Sequence, residues 1–426
     1  MTVDETVLQT STAYRRLLGN RELVAILAAR ALSATGDQVA RAVLALVVLQ
    51  RSDGGPVLSA LVLAVGYLPL TVGFATLGSL ADRFPRRTVL LVCDASRVLL
   101  VTALVVIVPA GAPLWLVLVV LLGAELFVPP SAAASQSLLP DVSRSYVEYQ
   151  QANAIKSTAD QAVQVLGFIL GGLALQLASS GWALAFDAAT FVLSFGVIAV
   201  FVRKRAAPAD PGTSARRLVA DVRSGARTIS SERGLRWLAV FAWVSAAMLV
   251  ATDGVALPYA LGDGASDAVA TALLAATPAG AAIAAFVVGR WSISRQLHAM
   301  FPLAAASTVP MIVTGFDPAL PLAWVLWFAV GLCQGYIVTV MTLVVVLTPE
   351  DYRGRVVGLV AAGFNAAAAL TLLAVGLLTQ AVTAAFALSL AGSVGLAALA
   401  LLWMLWPTRD VNLAVRTTYG ATSRRT

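Results

Sequence analysis

Gly78-Ser-Leu-Ala-Asp82-Arg83-Phe-Pro-Arg86-Arg87-Thr-Val-Leu90 is a short charged segment set between two long apolar runs that hold almost no charge. Asp82 and three arginines fall within six residues, which leaves room only for a tight turn joining two antiparallel membrane helices. Such a turn belongs at the water boundary, because hydrocarbon offers its charges and backbone no partners. The rest of the chain obeys the same constraint: 59% of its residues are hydrophobic, 12% are charged, and the mean hydropathy is +0.86. Soluble proteins carry about 25% charged residues, so a water-soluble globule is excluded and a polytopic membrane protein is expected.

The turn resembles the loop between the second and third helices of the major facilitator superfamily, written G-x-L-a-D-r-x-G-r-r, with Pro85 where a glycine is usual. Proline fixes the backbone and removes a donor, so the turn is stiffer and keeps its charges. The resemblance implies an all-α membrane protein with twelve transmembrane helices in two six-helix halves. It also implies that Gly78, Asp82, Arg83, Arg86 and Arg87 form a gating loop, with Asp82 facing the positive dipole end of the eleventh helix near Arg355.

A bilayer core of about 30 Å takes about 20 helical residues. Twelve apolar runs meet that length, starting near Leu23, Val57, Thr88, Leu114, Asn153, Trp182, Leu235, Ala268, Leu297, Leu320, Val356 and Val382. One long interior connection divides them six and six. The expected organisation is a cytoplasmic N-terminal segment 1–22, an N-terminal half 23–202, a cytoplasmic central loop 203–234, a C-terminal half 235–406 and a cytoplasmic tail 407–426. Of the 29 lysines and arginines, Arg51 alone lies in an odd-numbered loop, and Arg30, Arg41, Arg97 and Lys156 lie in or at the ends of spans. The remaining 24 share one side, which the positive-inside rule makes the cytoplasm, with both termini there. The expected location is the inner (cytoplasmic) membrane, and the N-terminal segment lacks the apolar core of a cleaved signal peptide.

The halves echo one another. Leu139-Pro140-Asp141 closes the fourth span and Thr348-Pro349-Glu350 the tenth, at an offset of 209, while Gly289-Arg290 stands where Gly78 to Arg87 stands in the first half. In the central loop Arg216, Arg217, Arg223 and Arg227 alternate with Leu218, Val219 and Val222, the pattern of an interfacial amphipathic helix or of a solvated basic linker. The net charge of +7 sits in loops, so lipid headgroups rather than nucleic acid are its neighbours. Cys93 and Cys333 have no second ligand at metal spacing, His298 has no catalytic partner, and no phosphate-binding G-x-x-x-x-G-K-[ST] loop exists. The expectation is no cofactor, no metal, no ATP coupling and no enzyme activity.

Charges inside the bilayer carry the functional signal. Arg30, Asp37 and Arg41 recur at intervals of seven and four in the first span and so share one helix face. Twelve Leu, Ile and Val residues from Leu23 to Leu49 contribute about −4 to −7 kcal/mol to insertion, against about +5 to +7 for Asp37 and Arg41. The span is marginal alone, so its charged face must turn inward, Arg30 and Arg41 serving as cavity charge partners. Glu125 lies near the middle of the fourth span with no basic residue close in sequence. An unpaired carboxyl there would bind and release a proton near neutral pH, which makes Glu125 the first candidate for proton coupling and Asp37 the second. The alternative is a glutamate neutralised by an arginine from another span, such as Arg41. Arg41 is four residues from Asp37 and is expected to hold it ionised. Asp187 and Asp253 are read as boundary residues. Gln161, Gln164, Trp243, Gln334, Tyr336 and Asn365 offer a partly apolar wall for substrate, or packing and hydrogen bonds between helices.

Gly167-Phe-Ile-Leu-Gly171-Gly172 in the fifth span resembles the G-P-x-x-G-G core of the helix motif of exporting antiporters, with Phe168 in the proline position. Such small residues let helices approach closely at the interface between halves, or simply pack. Ser33–Asp37, Asp94–Arg97, Phe127–Pro140, Asn153–Gly172, Phe186–Phe195 and Pro349–Val356 resemble the drug:proton antiporter branch that contains enterobactin exporters and macrolide efflux proteins. The resemblance implies a secondary transporter, a monomer by expectation, that exports a small amphipathic organic molecule in exchange for protons by alternating access. Nutrient uptake by symport or uniport, and a non-transporting receptor or scaffold on the same fold, are the competing readings. The charge asymmetry predicts that, of cysteines introduced at Ser214 and Ser266, only the one at 266 reacts with an impermeant thiol reagent on intact cells; labelling at 214 reverses the orientation.

Overall fold

The computed structural model describes residues 19–52, 55–73, 83–143, 146–177, 179–205, 215–348 and 352–407. Gly78 and Asp82 of the charged turn lie outside the described residues, as do Pro349 and Glu350. Among the described residues every regular element is a helix, the one open structure that satisfies all its backbone donors within a single segment in lipid.

In chain order the helices are α1 (Arg21–Arg51), α2 (Pro56–Val65), α3 (Leu68–Gly73), α4 (Arg86–Ile107), α5 (Leu114–Glu125), α6 (Val128–Val142), α7 (Tyr146–Leu177) and α8 (Ser180–Phe201). They continue with α9 (Ala215–Ser231), α10 (Arg233–Gly262), α11 (Asp267–Val288), α12 (Ile293–Val313), α13 (Leu320–Cys333), α14 (Tyr336–Leu347), α15 (Arg353–Leu378) and α16 (Ala384–Leu405). Among the described residues ten helical segments are long and apolar enough to cross a membrane, with α5–α6 and α13–α14 each counting as one. At the other two positions expected from the sequence, α2 is only 10 residues long, and α7 has 32 residues but begins in a polar run from Tyr146 to Gln164.

The breaks in two of these segments repeat. Helix α5 ends at Glu125 and α6 starts at Val128; α13 ends at Cys333 and α14 starts at Tyr336. The offset of 209 read from the closing prolines sets Glu125 on Gln334 and Phe127 on Tyr336, so the interruption falls at matching places in the two halves. In the first, Pro129 and Pro130 supply the cause, since neither can donate to the carbonyl one turn before. In the second, Gly335 lies so close to Ala284 and Val288 of α11 that a side chain there would collide with both.

By contact the chain divides into two compact units, residues 1–43 with 76–212 and residues 44–75 with 213–426. The sequence order of the halves therefore differs from the packing order for residues 44–75. The first unit has a core of Leu23 and Ile26 from α1, Leu90 and Cys93 from α4, Leu138 and Leu139 from α6, and Ile198 from α8. In the second, Phe241 of α10 meets Phe301 of α12 edge-on, their ring centroids 4.9 Å apart, and Tyr336 and Trp406 close the cluster. Also in that unit, α2 packs on α15, where a side chain at Gly376 would strike Ala60.

The basic central segment is helical from Ala215 to Ser231. Ile229 is buried in the second unit's core and Gly225 abuts the backbone of Arg355, while Arg223 and Arg227 face outward. One apolar edge is thus docked on the bundle, which a merely solvated linker does not do.

The tightest approach in the second unit joins α11 to α13. A Cβ at Gly280 would overlap the carbonyl of Phe328, and one at Gly331 the carbonyl of Thr277, so both clashes are with backbone that cannot swing away. Gly280→Val or Gly331→Val is expected to lower stability by at least the ~1–3 kcal/mol of an overpacked core. Gly358→Ala, whose added methyl meets nothing within 4 Å, should be neutral or slightly stabilising. Thermal unfolding of the detergent-solubilised protein separates them, and equal melting for Gly280→Val and Gly358→Ala refutes the assignment.

Candidate functional site

The charged face of α1 turns into the first unit. Arg41 donates two parallel hydrogen bonds to Glu125 at the end of α5, Nε to Oε1 at 3.1 Å and Nη2 to Oε2 at 2.9 Å. Glu125 is 3% exposed. The bidentate fork matches a carboxylate's geometry and is the strongest neutralisation a single residue supplies. Between the two sequence readings of Glu125, the structure has the paired one.

Asp37 does not pair with Arg41, as its i,i+4 spacing led one to expect. It forms an ion pair with Arg97 of α4 instead. Helical spacing makes two side chains neighbours on a surface, but in a packed bundle both face adjacent helices, and each takes the deeper partner opposite it. The Arg97 guanidinium also stacks over the Phe191 ring of α8, with 4.2 Å to the centroid. Arg30 lies 3.3 Å from Asp160 of α7, and Lys156 reaches the other oxygen of the same carboxylate. Each of the three predicted charges on α1 has a partner on another helix.

Two acids belong to the site that the sequence reading did not place there. Asp94 on α4 is 4% exposed and accepts a hydrogen bond from Ser194 of α8 at 2.7 Å. It borders a small cavity lined by Arg30, Ser33, Ser131 and Ser135. Asp187, expected at a boundary, is 2% exposed inside α8. Its sequence position is nearer the end of its span, but α1 and α8 approach closely there: a Cβ at Gly36 would overlap both Asp187 and Thr190. The rule that drew attention to Glu125, an ionisable residue within an apolar run, applies equally to Asp94, Arg97 and Asp187.

Two arginines of the charged turn, Arg86 and Arg87, act as ties within the first unit. Arg86 donates to the carbonyl of Ser137 at 2.9 Å and pairs with Asp141, the acid that closes α6. Arg87 donates to the carbonyl of Ala199 at 2.7 Å, near the end of α8, and Arg83 is exposed. The three helix ends at this side are thereby fixed to one another.

The glycines of α7 also find their partner within the unit. A Cβ at Gly167 would overlap Gln38, and one at Gly171 would approach Ala42 and the Val39 carbonyl, so both glycines pack closely against α1. Gly172 is buried alongside them. Gln161 and Gln164 on the same helix are half-buried.

The substrate-wall candidates of the second unit separate into two kinds. Trp243 donates its indole N–H to the Val360 carbonyl at 3.1 Å, and Asn365 donates to Ala361 one turn back, so both serve the bundle itself. Tyr336 is fully buried against Phe241. Gln334, at the break before α14, is 3% exposed, and neither its amide nitrogen nor its oxygen has a hydrogen-bond partner among the described residues. His298 is exposed, and its ring nitrogen lies 2.7 Å from the Ser294 carbonyl.

A family model described as Major Facilitator Superfamily matches residues 26–347 and 254–419. The multidrug efflux pump Tap of Mycolicibacterium fortuitum is 28% identical over 370 residues, covering 84% of this chain and 89% of that protein. The Mycobacterium tuberculosis pump of the same name is 28% identical over 372 residues, at 84% and 86% coverage. Among solved structures, a POT family transporter in complex with 5-aminolevulinic acid superposes with a TM-score of 0.73 at 10% identity, covering 91% of this chain and 96% of the other. A bacterial homologue of the human lysosomal transporter Spinster gives 0.62 at 16% identity, with 93% and 97% covered. At such identities the structures speak for the fold alone. Matched along nearly its whole length, this multi-pass membrane chain belongs to the Major Facilitator Superfamily, a family of transporters rather than enzymes.

Proposed function

We propose that the chain is a secondary transporter that exports a small amphipathic organic molecule, a drug, siderophore or secondary metabolite, in exchange for protons, from a cytoplasmic membrane in which both termini face the cytoplasm. The observation that carries this reading is the pair of acid–arginine bridges, Arg41 with Glu125 and Arg97 with Asp37, each with one buried and one half-buried partner in a membrane-spanning bundle. Such bridges are weak devices for stability, because desolvation cancels much of their attraction. Two of them in one bundle mark a function that needs charge there. Salt bridges that open and reform let a carboxyl alternate between ionised and protonated states as access changes sides. Glu125 and Asp37 are the coupling acids in this reading, and Arg41 and Arg97 their counter-ions. Gln334, a buried carboxamide with its hydrogen-bonding capacity unused, is the best candidate in the second unit for contact with a polar group of the substrate.

Export as the direction rests on the likeness to proteins named multidrug efflux pumps. Uptake by symport or uniport is the second reading, since the fold, shared with a peptide transporter and the nucleoside transporter NupG, does not itself set a direction. A non-transporting receptor or scaffold has no use for two buried ion pairs.

Proteoliposome assays with and without an imposed pH gradient test the coupling. Glu125→Gln is expected to abolish gradient-driven accumulation and to preserve substrate exchange across a membrane without a gradient, since the amide oxygen can still accept from Arg41, whose side chain is 20% exposed. Asp37→Asn should impair both, because it breaks the ion pair that holds Arg97, only 7% exposed at the side chain, in place. Full gradient-driven accumulation in Glu125→Gln removes Glu125 from the coupling mechanism; loss of exchange as well makes it a binding or structural residue.

A further inference from the structure

Asp187 stands among charges that are already matched without it. The groups that face it are Asp37 and Arg41 from α1, Arg97 from α4 and Glu125 from α5. Within that group three carboxyls share two guanidiniums, and both guanidiniums are engaged, one by Glu125 and one by Asp37. The Asp187 Oδ1 atom is shut off from solvent and has no hydrogen-bond partner among the described residues. Nor does its own helix help, because the nearby Thr190 hydroxyl donates to the Asp187 backbone carbonyl at 2.7 Å instead of to the carboxyl. Asp94 differs in accepting from Ser194 and in bordering the hydroxyl-lined cavity beside Arg30. An ionised carboxylate with one oxygen unpartnered and no arginine of its own is among the most expensive arrangements a bundle can hold.

We propose that Asp187 carries the exchanged proton in this arrangement of the first unit, and that it competes with Asp37 and Glu125 for their arginines. The inference rests on the proton-coupled reading above and assigns the resting place of the proton within it. Arg97 is placed for the exchange: its guanidinium lies over Phe191, one helical turn from Asp187. When Asp187 gives its proton to water, its new negative charge draws an arginine from one of the two bridges. The acid left behind then takes up a proton from the solution to which it is open. One O–H bond breaks at Asp187 and one forms at Asp37 or Glu125, so the bundle keeps its charge throughout. Two bridges and one proton are distributed over three acids, and moving the proton requires moving a bridge.

Infrared spectroscopy of the purified protein in lipid nanodiscs at neutral pH tests this directly, through the carbonyl band of protonated carboxyl groups. Asp187→Asn should remove a component of that band, and Asp94→Asn should leave the same component in place. Glu125→Gln and Asp37→Asn each release an arginine toward Asp187, so each should also abolish that component although Asp187 is still present. These two variants keep the test decisive if Asp187→Asn does not fold. A band unchanged in Asp187→Asn, or a component that persists in both Glu125→Gln and Asp37→Asn, overturns the proposal. In proteoliposomes Asp187→Asn should lose gradient-driven accumulation, and retained accumulation also overturns it. Wild-type protein that shows the band component but no proton-driven transport of any compound refutes antiport and leaves the proton site standing.

Discussion

The bridge between Arg41 and Glu125 is the interaction on which the first unit turns. Neither charge is affordable alone in a bundle surrounded by hydrocarbon, and each makes the other tolerable through two parallel hydrogen bonds. That requirement fixes the rotation of α1 about its axis, since the face bearing Arg41 also bears Asp37 and Arg30. It likewise fixes the depth of α5, whose last residue must arrive level with the arginine. Once α1 is so oriented, its opposite surfaces are free for close packing, and Gly167 and Gly171 bring α7 against Gln38, Val39 and Ala42.

Interruption of helices serves the same site. Helix α5 stops at Glu125 and the chain resumes as α6 after two residues, with Pro129 and Pro130 preventing continuous hydrogen bonding. Broken helices within a membrane are stable only where neighbouring protein satisfies or covers the freed groups, and they recur in transporters at the midplane. The second unit repeats the break with Gln334 in place of Glu125. One half therefore presents a charge held by an arginine, and the other a neutral carboxamide with unused hydrogen-bonding atoms. On the proposed function this chemistry divides the labour: charge movement in one unit, and polar contact without net charge in the other.

At the cytoplasmic ends expected from the sequence, positive residues do more than set orientation. Arg86 and Arg87 tie α4 to the ends of α6 and α8, which holds the three helix ends together. Helix α9 does related work in the second unit by seating Ile229 in the core and Gly225 against the start of α15. Its exposed Arg223 and Arg227 remain available to anionic headgroups.

The sequence by itself determined that this is a helical membrane protein, where most of its spans lie, and which of its residues are too costly to be idle. Those properties follow from composition and run length, because transfer into hydrocarbon is summed residue by residue along the chain. The family was legible in the Gly78 to Leu90 turn for the same reason: its pattern is local. Partnership was not local. Asp37 has Arg41 one turn away in sequence and is held by Arg97, which is 60 residues distant, while Glu125 reaches back 84 residues for Arg41. Asp187 read as a boundary residue because its distance from a span end was all that could be counted, whereas Gly36 brings α1 close enough to bury it. Which charge meets which is set by the rotation and approach of packed helices, and only the tertiary structure decided that.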